Sequence, residues 1–424
     1  VRIDGLTLKN FNGFEFLEIG FDPQFNLLVG DNATGKTSVL DALATALHCW
    51  VYGIGGDQSA WGIDEGHVRL VAHRFQDSFF FEKQFPCRIE ARGLLVGQEL
   101  CWARELNHNG GRTTTAEARN LTSAAAEAAR KVRSGEEVTL PLICSYGTER
   151  LWFEQRSRKG AKEKEPANPL PSRLDGYRDC NEFEIQETAL IDWIRAEFSA
   201  GEQRGKETIA FRAMRSAILG CVEGATSLYY DRRYKDVVVT MDGAGEQVFG
   251  NLSDGYRIML TLLGDLAKRA TTLNPQFGDD VLVRTPGVVL IDELDLHLHP
   301  KWQRRVIHDL KRTFPAVQFV ATTHSPQLIG EAQPQEIRVI TREGATAPPR
   351  SFGMDSSRVL REIQLASPRN EEVEGLLSRL AGMIDKEDLD DARKLLPEVE
   401  AKLGQDDPEI TGANTLIRLL DSTR

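Results

Sequence analysis

The sequence predicts an α/β fold: a mixed sheet with an antiparallel portion, an inserted helical region and a C-terminal helical tail. Two short apolar runs, each ending in residues that carry chemistry, underlie this expectation. Phe25–Val29 leads into Gly30-Asp31-Asn32-Ala33-Thr34-Gly35-Lys36-Thr37, and Gly287–Ile291 leads into Asp292-Glu293. Continuous runs of this length fit strands buried on both faces of a parallel sheet, and open α/β sheets bind ligands at the C-terminal edge of such strands. A third observation is the alternating, turn-punctuated stretch from His67 to Leu106, which predicts antiparallel strands beside the parallel ones.

The 424 residues are enough for two or three domains, or for one large domain with insertions. Hydrophobic content of 41% and charged content of 27% set aside disordered and fibrous classes. No run approaches the ~18 apolar residues of a membrane span, and no secretory signal pattern opens the sequence. A cytoplasmic location with no membrane association is therefore expected. Cys49, Cys87, Cys101, Cys144, Cys180 and Cys221 are scattered without a CxxC pair, which fits reduced, mostly buried thiols better than disulfides or zinc. The net charge of −11 argues against uniform coating of nucleic acid and leaves room for a local basic groove. From Glu371 to Arg424 there are 14 acidic and 7 basic residues, so this tail carries −7 and the body only −4.

Taken in order, Val1 to Phe21 reads as two strands joined at Lys9-Asn10-Phe11-Asn12-Gly13, followed by the strand Phe25–Val29. The GxxxxGKT motif after it lies between a strand and a helix, as a phosphate-binding loop requires. Its glycines let backbone N–H groups converge on phosphates, and the helix N-terminus adds the positive end of a dipole. Gly30, Asn32, Gly35, Lys36, Thr37 and Ser38 are the expected nucleotide contacts, with Lys36 on the β- and γ-phosphates and Thr37 on Mg2+. Val39, Leu40, Leu43 and Leu47 give the following helix its apolar face. Phe79 to Phe81 is expected in the core, and the alternative is a stacking platform for bases.

Ala116 to Arg133 is a helix and Val138 to Ser145 a strand, leading to Tyr146-Gly147-Thr148-Glu149-Arg150-Leu151-Trp152. Tyr146 and Trp152 are expected to be structural, and Arg150 to face either the nucleotide or a partner. The charged stretch from Arg156 to Pro171 reads as an exposed loop. Helices over Glu187–Phe198 and Thr208–Val222 and strands near Ser227–Tyr230 and Val237–Met241 complete an insertion between two halves of the nucleotide domain. Arg204, Arg232, Arg233 and Lys235 in it are candidates for nucleic-acid contact. Asn251-Leu252-Ser253-Asp254-Gly255 then opens a helix, with Ser253 fitting an N-cap and Gly255 allowing close approach to the backbone.

The run Gly287–Ile291 ends in carboxylates suited to phosphate hydrolysis: Asp292 to hold Mg2+ and Glu293 to orient and deprotonate water. Taken alone, such a run is equally a buried strand ending in solvated acids. Pro300 fits a first helical turn, with Trp302, Val306 and Leu310 on one face. The strand Ala316 to Ala321 ends in Thr322-Thr323-His324-Ser325-Pro326, placing His324 beside the acidic strand and near a γ-phosphate.

The ordered set of Gly30–Thr37, Leu252-Ser253-Asp254-Gly255, Asp292-Glu293, Asp295 and His324 resembles the Walker A, signature, Walker B, D-loop and switch-histidine motifs of ABC-type ATPases. Asp292-Glu293-Leu294-Asp295-Leu296-His297-Leu298-His299-Pro300 and Thr322–Pro326 look like the branch with OLD-type, RecF-like and SMC-like proteins. The resemblance implies ATP sandwiched with Mg2+ between two copies, in a homodimer or a higher even-numbered oligomer. Ser253 and Gly255 of one copy would face the phosphates held by the other. Glu293, His324 and Lys36 would be catalytic, Thr37 and Asp292 would hold the metal, and Asp295 would lie at the interface. Asp254 replaces the usual second signature glycine, and Asn12 stands where many relatives are basic. Gln155 is the candidate for the glutamine loop.

These motifs divide the chain into ATPase lobes at 1–150 and 251–345, an inserted helical/β region at 151–250 and a helical oligomerisation or partner-docking tail at 346–424. In the tail, Val373, Leu376, Leu377, Leu380 and Ile384 form one apolar stripe, and Leu389, Ala392, Leu396, Val399 and Leu403 form a second. A third helix contains Leu416, Ile417 and Leu420. Glu343-Gly344 resembles a Toprim nuclease opening, but the downstream Asp388-Leu389-Asp390 is expected within a helix, so no intrinsic nuclease is expected. The short tail is most similar to the PtuA-type ATPases of Septu and retron-associated anti-phage systems. That resemblance implies a PtuB-like HNH nuclease as partner and contact with DNA or RNA through the complex. The competing readings are an ATPase of another defence system such as PARIS, a RecF/SMC-like DNA-repair ATPase, and a nucleotide-sensing scaffold. A transporter subunit is disfavoured by the His-Leu-His-Pro segment.

Overall fold

The computed structural model describes residues 1–55, 62–76, 78–95, 97–148, 171–180 and 187–422. Contacts divide the chain into two compact units, Val1–Met354 and Asp355–Arg424. The first opens with β1 (Arg2–Phe11), β2 (Phe14–Gly20) and the fully buried β3 (Phe25–Val29). The phosphate-loop sequence then runs into α1 (Lys36–Ile54). This helix is apolar nearly all round and correspondingly buried, and left-handed Gly55 (φ 92°) ends it. β4 (Leu70–Phe75) and β5 (Ser78–Lys83) pair as an isolated hairpin. β6 (Cys87–Leu95) and β7 (Gln98–Leu106) join β1 and β2 in an antiparallel sheet ordered β2-β1-β6-β7. Then come α2 (Arg119–Arg133) and β8 (Leu142–Tyr146).

The inserted region comprises α3 (Glu187–Arg204), α4 (Ile209–Cys221) and the meander β9 (Ala225–Asp231), β10 (Asp236–Met241) and β11 (Gly245–Val248). α5 (Asp254–Leu273) and the short α6 (Val281–Arg284) lead to β12 (Gly287–Ile291). The chain continues through α7 (Pro300–Gln303), α8 (Val306–Thr313), β13 (Val317–Thr322), α9 (Pro326–Glu331), β14 (Ile337–Thr341) and β15 (Gly344–Thr346). The central sheet has the order β15-β14-β3-β13-β12-β8. β14, β3, β13, β12 and β8 are all parallel, so their C-terminal ends share one edge.

Several expectations change. Phe79, Phe80 and Phe81 are 61%, 53% and 65% exposed, not core, because among the described residues no element covers them on the β4–β5 hairpin. Trp302 and Val306 do not share one continuous helix, because α7 ends at Gln303 before α8 begins. Among the basic candidates, Arg232 pairs with Glu202 and Arg233 with Asp231, and both arginines stay exposed. Arg150, Trp152 and Gln155, with residues 156–170 of the charged loop, lie outside the described residues. Tyr146 is structural as expected: its hydroxyl donates to Asp265 of α5 at 2.8 Å, and Arg269 Nε meets the same carboxylate oxygen at 2.6 Å.

The second unit adds α10 (Ser356–Glu362), which the periodicity did not predict, before α11 (Glu371–Asp385), α12 (Leu389–Leu403) and α13 (Pro408–Ser422). The stripes on α11, α12 and α13 pack on one another, burying Leu376, Leu380, Leu389, Ala392, Val399 and Ile417. Asp388 is the N-cap residue of α12 rather than part of its interior, and Leu389 of the same DxD turns into that core. All six cysteines are free, and Cys101 alone is exposed. No described helix is long and apolar enough to cross a membrane.

A buried amide of the central sheet reaches into the antiparallel one. Gln318 of β13 accepts from Ile3 N–H at 2.7 Å and donates to the carbonyls of Ile3 and Asp22, each at 2.8 Å. Both Gln318 and Ile3 are fully buried. Replacing Gln318 with Leu keeps the volume and strands these backbone groups, so it is expected to cost about 3 kcal/mol in denaturant unfolding. A loss below about 1 kcal/mol would show that water or a shift of β1 satisfies them.

Candidate functional site

The shared C-terminal edge of the parallel strands collects the chemistry. After β3 the chain turns at Gly30 and enters α1 through Gly35, whose φ of 96° suits glycine. A side chain there would also meet the Phe14 ring at 2.5 Å, so the loop closes only with glycine. The first backbone N–H groups of α1 therefore point outward with no side-chain cap, ready for an anion. Lys36 curls back, donating from Nζ to the carbonyls of Gly30 at 2.9 Å and Asp31 at 2.8 Å. Burial lowers its pKa, and Asp292, Asp31 and Glu293 partly offset that shift. Asn12, noted as a departure from the resembled family, donates to Ser38 Oγ at 2.9 Å and ties the β1–β2 turn to the loop.

The acidic pair is held from the neighbouring strands. Asp292 N–H donates to the Tyr146 carbonyl at 2.8 Å, at the tip of β8. The Thr322 hydroxyl, at the tip of β13, donates to Asp292 Oδ1 at 2.5 Å and accepts from Glu293 N–H at 2.7 Å. Thr37 Oγ1 lies 3.2 Å from Asp292 Oδ2. Glu293 itself is left-handed, with φ 48°, an uncommon state for a residue with a side chain and one that clusters at functional sites. Thr323 donates to Asp295 Oδ1 at 2.5 Å, fixing the turn after the acidic strand.

These elements enclose a cavity of about 620 Å³, lined by Asn32, Gly35, Lys36, Thr37, Ser38, Asp292, Glu293, Thr322 and His324. That volume suits a nucleotide. Gly30 contributes through its carbonyl to Lys36. Ser253, Gly255 and Asp295 are not in the lining. Ser253 is exposed at the start of α5, in the N-cap position but without a side-chain cap bond. The close approach expected at Gly255 is made to the same chain: a Cβ there would lie 2.6 Å from the His297 carbonyl. Hydroxyl and carboxylate oxygens at Thr37 and Asp292 are the hard donors that Mg2+ takes, so the site fits that ion.

Sequence reasoning missed three contributors. Thr322 was read as part of a strand end, and only the β12–β13 pairing shows that it braces the acids. Arg342, in the turn after β14, lines the same cavity. Asp41, one turn along α1, borders an adjoining cavity of about 220 Å³ together with Thr37, Tyr146, Gly147 and Asp292. Burial pushes the Asp41 carboxyl up to about 6, with His67 opposing the shift and Asp292 adding to it.

Residues 149–330 match the family described as "AAA domain, putative AbiEii toxin, Type IV TA system", and residues 5–204 match one described as "AAA domain". The chain is 24% identical to "Retron Vc95 probable ATPase" of Vibrio cholerae serotype O1 biovar El Tor, over 93% of this chain and 85% of that protein. It is 26% identical to "Retron Ec83 probable ATPase" of Escherichia coli, over 96% and 85%. "Septu protein PtuA" of Bacillus thuringiensis is 35% identical over 102 residues, 24% of this chain and 26% of that protein.

Two outcomes follow from the bracing and burial. Thr322→Val removes the hydroxyl between Asp292 and Glu293 and is expected to lower ATP turnover by about ten- to a hundredfold with ATP affinity little changed; unchanged turnover would show that the acids hold themselves. An acid with a raised folded pKa adds stability below its ordinary value of 3.8 and loses it as pH rises through about 6. Asp41→Asn is therefore expected to raise the melting temperature of the nucleotide-free protein at neutral pH. It should also flatten the decline between about pH 4 and pH 6, and an unaltered slope would assign that decline to other groups.

Proposed function

We propose that this chain, an AAA-family P-loop ATPase similar to retron ATPases and to the Septu protein PtuA, hydrolyses ATP between two copies of itself and regulates a partner nuclease in anti-phage defence. One observation carries the two-copy reading. The cavity gathers Lys36, Thr37, Asp292, Glu293 and His324, while Ser253 and Gly255 of the same chain are not in its lining. Residues that the chain does not bring to its own cavity are available to another copy, and the exposed start of α5 is suited to complete the site there.

In this mechanism the triphosphate displaces the Gly30 and Asp31 carbonyls from Lys36, whose ammonium then neutralises the β- and γ-phosphates. The backbone N–H groups from Gly35 onward receive the phosphate oxygens. Thr37 and Asp292 would hold Mg2+, which when bound offsets charge developing on the transferred phosphoryl group. Glu293 accepts the proton of the attacking water, and its left-handed backbone, pinned through Thr322, sets where that carboxylate points. His324, at the tip of β13, contacts the γ-phosphate. Ser253 and Gly255 of the second copy close the site, with Asp295 near the junction. Excluding bulk water from this cavity strengthens each of these charge contacts.

The likeness to retron and Septu proteins supports a defence-associated ATPase. The finer reading assigns the assembled, ATP-bound state to control of an HNH nuclease of PtuB type, with DNA or RNA engaged through the complex and the C-terminal helical unit as a docking element.

Loss of the general base should trap the assembly. Glu293→Gln is expected to lower turnover at least about a hundredfold and to accumulate an ATP-bound, even-numbered oligomer in mass photometry. Lys36→Ala and Ser253→Arg should each abolish turnover alone, yet a mixture should recover part of it, because one composite site per mixed dimer keeps both residues. Activity in the mixture no greater than in either variant would rule out the shared site. Failure of the trapped oligomer to retain a co-expressed HNH protein would rule out that partner.

A further inference from the structure

We infer that Arg342 is a nucleotide-binding residue that holds the α- and β-phosphate side of ATP, across the cavity from Glu293. The inference rests on the nucleotide-site reading above and adds a residue that none of its motifs contains. β14 pairs with β3 in parallel, Val339 opposite Val29, so β14 runs on through Ile340 and Thr341 after β3 has given way to the phosphate loop. The two are in close contact, since a side chain at Gly30 would lie 2.5 Å from the Ile340 carbonyl. Thr341 then fixes the turn: its hydroxyl donates to the Gly344 carbonyl at 3.2 Å and accepts from Glu343 N–H at the same distance. Arg342 is carried by this braced turn into the lining of the cavity that holds Lys36 and Thr37.

Its charge is uncommitted. Of the cations in that lining, Lys36 is engaged by loop carbonyls and Arg69 by Glu15 at 2.9 Å, whereas Arg342 is exposed and has no carboxylate partner among the described residues. Strand order supplies the direction. Asp292, Glu293 and His324 leave β12 and β13 on one flank of β3, and Arg342 leaves β14 on the other. A triphosphate with its γ end at Glu293 therefore runs back along the loop toward Arg342, which meets phosphates that ADP and ATP share. A guanidinium there binds nucleotide without discriminating the γ-phosphate.

The test is the dissociation constant of fluorescent ATP and ADP, with Mg2+, for Arg342→Ala, Arg342→Lys and His324→Ala in the Glu293→Gln background. Arg342→Ala should weaken both nucleotides by about tenfold or more and to a similar extent, as loss of a charged hydrogen-bonding contact does. Arg342→Lys should recover part of the loss, and His324→Ala should weaken ATP alone. Unchanged binding of both nucleotides by Arg342→Ala would overturn the inference, as would a loss confined to ATP or one matched by a lower melting temperature without nucleotide. If the parent binds neither nucleotide, the site reading itself fails; if the parent binds and Arg342→Ala binds equally well, only the role of Arg342 fails.

Discussion

The site depends on the Thr322 hydroxyl, which spans the acidic pair by donating to Asp292 and accepting from Glu293 N–H. β12 and β13 are buried along their whole length, so the backbone and carboxylate groups at their tips leave a dry interior abruptly. Groups in that position need partners, and a carboxylate at the edge of such a sheet is costly unless bonded. Thr322, Thr37 and the Tyr146 carbonyl supply those partners from three different elements. Each bond removes a degree of freedom from the acids. The left-handed Glu293 persists because Thr322 holds its amide while Leu294 N–H donates to the Thr322 carbonyl at 2.9 Å.

The same edge is linked to the helix that begins at Ser253. α5 reaches back through Asp265 to the Tyr146 hydroxyl, and the Tyr146 carbonyl takes the Asp292 N–H. Arg269 closes the group, bonding Asp265 and the carbonyls of Gly176 and Arg178. Tyr146 and Asp265 are buried, so leaving either unpaired would be penalised. Gly255 presses against the His297 carbonyl, and Tyr256 packs edge-on against Trp302 at 4.2 Å between ring centres. The start of α5 is therefore positioned by the turn that follows the acids.

What was legible in the sequence had local causes. β3, β12 and β13 were readable because a strand buried on both faces is continuously apolar, and the phosphate loop because its glycines and lysine are contiguous. The tail stripes were readable because amphipathic helices that pack on each other keep a regular spacing. Thr322, Asp41 and Arg342 escaped because they enter the site through sheet order and helix packing, which no short stretch encodes. Phe79 to Phe81 misled for a related reason: an aromatic run implies burial only if another element arrives to cover it, and a two-stranded hairpin has two faces to cover. The break between α7 and α8 was hidden because Trp302, Val306 and Leu310 keep helical spacing across Arg304 and Arg305.

Net charge was the least informative global property, and the fold explains why. The acidic excess is concentrated in Glu371–Arg424, where helices that bury their apolar stripes together leave carboxylates on the outside of that unit. Several of these are paired there, Asp407 with Arg369 and Glu372 with Lys402 among them, so part of the excess is already neutralised locally. Attraction of a polyanion is set instead within a few ångströms, because exposed charges farther apart than about 10 Å are screened by salt. Within the cavity, Lys36, Arg69 and Arg342 face Asp292 and Glu293 alongside the uncapped start of α1. A protein of net charge −11 can therefore present a phosphate-binding wall, since the sign that a nucleotide meets is decided by strand tips and not by composition.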